Sequence, residues 1–188
     1  MKYYKLMMDV SRENDIICRY KDNFGMQEYD LCIGKNFKKW NDSFEFFYDT
    51  NEGDIATDYL ANDMSWFVVS ERLRNILSDL NTDIQYFEVN IVEKNTNQSL
   101  SNYYVANILK LVNALCLEKS DYFGTEIEGI GTIYTVSKYA VFEEKVCGID
   151  MFKLPDNQEI SIFVSERFKS IVEENEITGM EFLEIHVE

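Results

Sequence analysis

The sequence predicts an α+β domain: a mixed sheet with helices packed on it, containing two similar strand–helix–strand units around 66–91 and 161–187. Three observations lead there. The stretch "WFVVSERLRNIL", beginning at Trp66, returns as "SIFVSERFKSIV" from Ser161, so that Ser165 stands 95 residues after Ser70. Each copy opens with a short apolar run rich in β-branched and aromatic residues, of buried-strand type. Each then continues into a one-sided helical stripe and an alternating run.

Taken in order, the first 65 residues mix short strands, "KYYKLMMDV" and "DIICRY", with aromatic-rich loops such as "FEFFYDTNEGD". At Ser70 and Ser165 a hydroxyl stands where it can accept a bond from a free helix N–H, and a Glu follows in the first turn, so both serines are expected to be helix caps. Leu73, Ile76, Leu77 and Leu80 recur at i, i+3, i+4 and i+7, and Phe168, Ile171 and Val172 reproduce that stripe. "DIQYFEVNIVE" places Tyr86 and Glu88 on one side, with Phe87, Val89 and Ile91 on the other. "GMEFLEIHVE" groups Leu183, Ile185 and Val187, displaced by one residue relative to Phe87 when the serines are aligned. A compact strand–helix–strand is a βαβ unit if its strands are parallel neighbours, and its crossover is then right-handed. The stretch 102–120, "NYYVANILKLVNALCLEKS", is read as a helix on Val105, Ile108, Leu109, Val112 and Leu115 or Cys116, although "YYVANI" also suits the start of a strand. The stretch 128–145 reads as strand-rich. One proline, eight glycines and no Ser/Gly/Pro-rich linker give a single domain over 1–188, with at most two lobes, 1–95 and 96–188.

A chain of 188 residues with 46% apolar content can bury roughly 70% of its unfolded surface. The N-terminus carries no long apolar run of the secretory kind, and no window approaches a membrane span, so a cytoplasmic location is expected. Cys18, Cys32, Cys116 and Cys147 form no C-x-x-C pair, and His186 is the one histidine. Structural zinc is therefore not expected, and the cysteines are read as buried free thiols. Acidic residues outnumber basic ones 34 to 18, a net charge of −16. That balance argues against nucleic acid and anionic membranes, and favours a positively charged partner. The charge is also localised: no Lys or Arg occurs from Trp40 to Glu71, or from Ser170 to Glu188. Within those stretches Asp49, Glu52, Asp54, Asp58, Asp63, Glu173, Glu174 and Glu176 are the expected partner-binding acids. Trp40, which opens the first stretch, is the expected aromatic anchor.

Catalytic patterns do not emerge. Ser70 and Ser165 lack a G-x-S-x-G context, and one terminal histidine cannot serve two sites. "DTNEGD" at 49–54 misplaces the glycine of a calcium loop and has Leu60 where the bidentate Glu belongs. "GIGT" at 129–132 lacks the further glycines and the following helix of a phosphate loop, and is expected to be a turn or bulge. No cofactor or metal is implied. Paired carboxylates for hydrolysis keep an enzymatic alternative open, because two acids distant in sequence can meet in space.

The segments "KYYKLMMD", "DIICRY", "DYLANDMSWFVVSERL", "SNYYVANILKLVNALCLEKS" and "IDMFKLPDNQEISIFVSERFKSIVEENEITGMEF" together resemble a family of bacterial polymorphic-toxin immunity proteins, the eleventh immunity family. The resemblance runs over nearly the whole chain. It departs at Asn113 and Cys116, where similar chains carry Asp. What it implies is a non-enzymatic protein that binds a cognate toxin domain and blocks it, the toxin being a basic nuclease or another intracellular effector. The alternatives are a carboxylate-dependent hydrolase and an acidic adaptor in a larger assembly.

Overall fold

The repeated Val-Ser-Glu-Arg segments mark the two places where a strand runs directly into a helix. In the computed structural model, which describes residues 1–129, 131–155 and 161–188, β5 (Val68–Ser70) leads into α1 (Glu71–Leu77) and on to β6 (Ile84–Glu88). Strand β9 (Tyr103–Ile108) lies between β5 and β6, antiparallel to both. The second unit repeats this arrangement with β14 (Ile162–Ser165), α3 (Glu166–Glu174) and β15 (Met180–Val187). Here the strand inserted between the parallel pair is the N-terminal β1 (Tyr3–Met8). Neither unit therefore has its two strands as hydrogen-bonded neighbours.

The duplication extends beyond the segments that are similar in sequence. Each inserted strand opens with Tyr-Tyr in the same register: Ser70 faces Tyr103 and Ser165 faces Tyr3. Just before each, the carbonyl of Asn102 or Lys2 accepts the N–H of Glu71 or Glu166, at 2.8 and 3.0 Å. On the far side of β5 and β14 lie β4 (Tyr59–Asn62) and β13 (Met151–Lys153), again antiparallel. The Tyr103 hydroxyl donates to Thr57 O, and that of Tyr3 donates to Ile149 O, each at 3.0 Å. The C-terminal unit is thus completed by the first strand of the chain.

Around these units the chain builds two larger sheets and a ribbon. With β2 (Ile17–Tyr20), β3 (Glu45–Tyr48), β7 (Asn90–Glu93) and β8 (Ser99–Leu100), the first unit forms an eight-stranded mixed sheet ordered β6-β9-β5-β4-β2-β3-β7-β8. With β12 (Ala140–Val141), the second forms a five-stranded sheet ordered β12-β15-β1-β14-β13. Strands β10 (Asp121–Ile127) and β11 (Gly131–Lys138) pair only with each other. A short helix, α2 (Glu143–Val146), follows β12.

Alternation along the strands distributes the core over three layers. Val68 and Val105 point into a cluster with Trp66, Phe44, Phe46 and Ile91. Val69 and Ala106 point the other way, into a middle cluster that also takes Tyr4, Leu6 and Val164 from the second sheet. Both helices feed this middle layer, through Leu73 and Leu77 and through Phe168 and Val172. Tyr3, Phe152 and Phe163 face a third cluster with Val141 and Val146. Phe87, Val89 and Ile91 share the first cluster while Tyr86 packs on the middle one, the division the alternating pattern predicts.

Three expectations are corrected. The molecule is mostly β rather than an α+β sheet covered by helices: fifteen strands accompany α-helices of only seven, four and nine residues among the described residues. Apolar strands buried on both faces are short and numerous, whereas the helical stripes extend for only about two turns. The stretch 102–120 is not a helix; it contains β9, bridges at Leu111 and Leu115, and a 3-10 turn at Leu117–Lys119. As an interior strand β9 is buried on both sides, so it lacks the alternation that identifies a half-buried strand. Finally, Cys18, Cys32 and Cys116 are buried free thiols, but Cys147 is exposed at the end of α2. Gly129, in the turn after β10, and Gly131, which opens β11, have positive φ; Ile130 lies outside the described residues.

Candidate partner-binding face

The serines at the strand–helix junctions organise the region where the two acidic stretches meet. Ser70 Oγ accepts the Leu73 N–H at 3.2 Å, and Ser165 Oγ accepts that of Phe168 at 3.1 Å. Each hydroxyl also donates to an aspartate, Ser70 to Asp58 at 2.7 Å and Ser165 to Asp150 at 2.9 Å. The second carboxylate oxygen reaches across to the other unit. That of Asp58 accepts the N–H of Thr178, beyond α3, at 3.0 Å, and that of Asp150 accepts the N–H of Asn81, beyond α1, at 2.9 Å. Each half therefore fastens its own helix cap and the segment following its counterpart's helix with one carboxylate.

The arginines of the repeat differ in use. Arg167 donates to Asp150 at 2.6 Å. Arg72 lies 3.9 Å from Asp58 and donates to the carbonyls of Asn175 and Glu176 at the end of α3. A cation over the last carbonyls of a helix is favourably placed against its dipole. The consequence is that Glu71, at the start of α1, and Glu173, Glu174 and Glu176, at the end of α3, belong to one joined region.

The expected partner-binding residues divide into two sets. Asp58 is occupied by the clasp. Asp49 accepts from Lys94, Asn51 and Asn95, and Lys94 leads the hydrogen bonds that hold its carboxyl down at about 2. Glu52 pairs with Arg19 at 2.7 Å, and Glu173 lies 3.6 Å from Lys169 one helical turn earlier. The stretches lack bases along the chain, but folding brings bases to them. Asp54, Asp63, Glu174 and Glu176 are exposed and make no ion pair among the described residues. Partial loss of water raises the Asp63 carboxyl pKa, although the Tyr20 N–H at 3.3 Å opposes this. Trp40 is half-buried, stacked on Phe87 at 4.8 Å and beside Phe44 and Trp66, so most of its ring belongs to the first core cluster.

Sequence reasoning passed over Asp150, Arg72 and Arg167. The signal was available: an aspartate opens the segment before each Val-Ser-Glu-Arg, in "DYLANDMSWFVVSER" and "DMFKLPDNQEISIFVSER". No three His, Cys, Asp or Glu side chains converge as ion ligands among the described residues, and no described helix is long and apolar enough to cross a membrane.

The model of the immunity protein family Imm11 matches residues 2–187, from the strand that completes the second unit to the last strand of that unit. The chain belongs to the Imm11 immunity protein family. Among curated proteins, none matches it. Within the matched span, β1 supplies the middle strand of this Imm11 protein's second unit.

Proposed function

We propose that the chain neutralises a cognate bacterial toxin domain in the cytoplasm by stoichiometric binding, without catalysis. Membership of the immunity family carries this reading, and the distribution of charge supports it. An inhibitor with a net charge of −16 attracts a basic toxin domain at long range and accelerates encounter. The acids best suited to this are those without an ion pair among the described residues, Asp54, Asp63, Glu174 and Glu176, with Glu52 and Glu173 beside them. Asp49 and Asp58 support the face from within, and Trp40 supports it from the core.

Co-expression tests the reading. Cells producing the toxic domain encoded beside this chain should die without it and grow with it; death in both cases would rule the reading out. Steering has its own test. Charge reversal at Asp54, Asp63 and Glu174 should slow association by about tenfold or more at low salt, with little change in the melting temperature. A rate indifferent to salt and to these substitutions would remove the electrostatic part of the proposal.

A further inference from the structure

The ribbon β10–β11 is hydrogen-bonded to neither sheet among the described residues, and its two faces differ in that only one, through Val136 and Tyr134 of β11, packs on a core cluster. Direct cross-strand partners share a face. Tyr122 opposite Val136, and Gly124 opposite Tyr134, lie on the face turned towards the third core cluster. Val136 is buried there, Tyr134 packs against the cluster, and the Tyr122 and Tyr134 rings meet edge to face at 5.5 Å. The opposite face carries Phe123 opposite Thr135, Thr125 opposite Ile133, and Ile127 opposite Gly131.

From Phe123 to Ile127 on β10 and from Gly131 to Thr135 on β11 that outer face holds no charged side chain, on a chain in which 28% of residues are charged. Phe123 is 70% exposed and Ile127 38%, and every residue of β10 is exposed. A two-stranded ribbon gains little stability by itself, and nothing in folding rewards directing Phe and Ile into water. Contiguous exposed apolar surface of this kind marks an interaction site. Acidic residues border it: Glu126 on the reverse side, Glu128 in the turn, and Asp121 at the root, where Lys138 pairs with it at 3.1 Å.

We propose that the outer face of the β10–β11 ribbon, centred on Phe123, is a docking surface for the cognate toxin domain, which meets it with an apolar patch edged by basic side chains. This rests on the immunity reading above. Charge selects this occupant over a second copy of the chain, because two bodies each carrying −16 repel one another, whereas a basic domain is attracted. It selects against an anionic membrane for the same reason. An aromatic anchor within an uncharged surface and an acidic rim has the composition of a binding hot spot.

The test is calorimetric titration of the purified toxin domain encoded beside this chain into the wild type, Phe123→Glu and Phe123→Leu. Phe123→Glu should weaken binding by about 30-fold or more, Phe123→Leu by only a few-fold, and both should melt with the wild type because the side chain is exposed. Wild-type binding that Phe123→Glu leaves within about threefold would overturn the docking proposal and leave the immunity reading standing. Absence of binding by the wild type would overturn both. Self-association of the wild type in sedimentation, or binding to neutral phospholipid vesicles, abolished in either case by Phe123→Glu while toxin binding persists, would assign the ribbon to another occupant and overturn the proposal.

Discussion

Ser70 and Ser165 occupy equivalent positions but differ in surroundings. Both cap a helix and both donate to an aspartate, yet Ser165 is 3% exposed whereas Ser70 is half-buried. Replacing a cap with alanine costs about 1 kcal/mol. Each change also withdraws a donor from an aspartate, but at Ser165 both the serine and Asp150 are buried and water cannot replace the lost hydroxyl, which adds about 1–2 kcal/mol. Ser165→Ala should therefore lower the urea midpoint clearly more than Ser70→Ala, and equal losses would contradict the account. Lys153 gives a residue-scale dependence on pH. It is buried, donates to Cys32 O at 2.7 Å and Leu31 O at 3.3 Å, and burial pulls its pKa from 10.5 down to about 8. Below pH 8 the folded and unfolded chains are both charged there and the cost of burial is complete. Above it the folded lysine is neutral while the unfolded one still holds its proton, so raising the pH towards 10 favours folding. Between pH 7.5 and 10 the wild type should gain on the order of 2 kcal/mol relative to Lys153→Met in chemical denaturation; parallel curves would show that the lysine is not desolvated.

Among the elements, the segment between α3 and β15 shows why the two halves cannot separate cheaply. Thr178 bonds both backbone and side chain to Asp58, and its carbonyl accepts the Tyr59 N–H at 3.0 Å. Gly179 follows at φ +85°, with its hydrogen side against the Tyr59 carbonyl and Thr57, where a β-carbon would collide. Gly179→Ala should cost at least about 2 kcal/mol, from the left-handed backbone and the clash together, and a thermal melt would measure it. The same substitution at Gly129, which meets nothing within 4 Å, should cost only the backbone strain. The elements were unequally legible. Ser-Glu-Arg followed by an apolar stripe predicted both helix starts, because capping and amphipathicity are local. The β9 strand was misread because burial on both faces, a property of its place between β5 and β6, erases the local pattern.

For the whole molecule, the chain closes on itself. Strand β1 is the middle strand of the C-terminal unit, paired with β15 along its length and with β14 from Tyr3 to Leu6. A chain lacking residues 1–8 would leave both strands with open edges and remove Tyr3, Tyr4 and Leu6 from two core layers. It should lose cooperative unfolding altogether, as monitored by far-ultraviolet circular dichroism during heating. A sharp transition close to that of the full chain would sink this reading of the fold.

The sequence by itself determined the doubled strand–helix junctions, their capping serines, the alternation of β6, the acidic excess and the resemblance that led to the immunity family. These are either local along the chain or properties of its composition. On β15, by contrast, Leu183, grouped with Ile185 and Val187, is exposed, and Phe182 on the other face packs into the middle cluster. Only the tertiary structure decided that each unit is split by a strand from elsewhere. It also decided that Asp58 and Asp150 fasten the two units reciprocally, and that Arg19, Arg72 and Lys94 neutralise acids in stretches that contain no base of their own. Hydrogen bonds and ion pairs between residues from 12 to 182 positions apart carry these features, and no periodicity within a window records which distant partner a side chain will meet. The outer face of the ribbon lies between these cases: its alternation is written in the sequence, but only the fold leaves that face without a neighbour among the described residues.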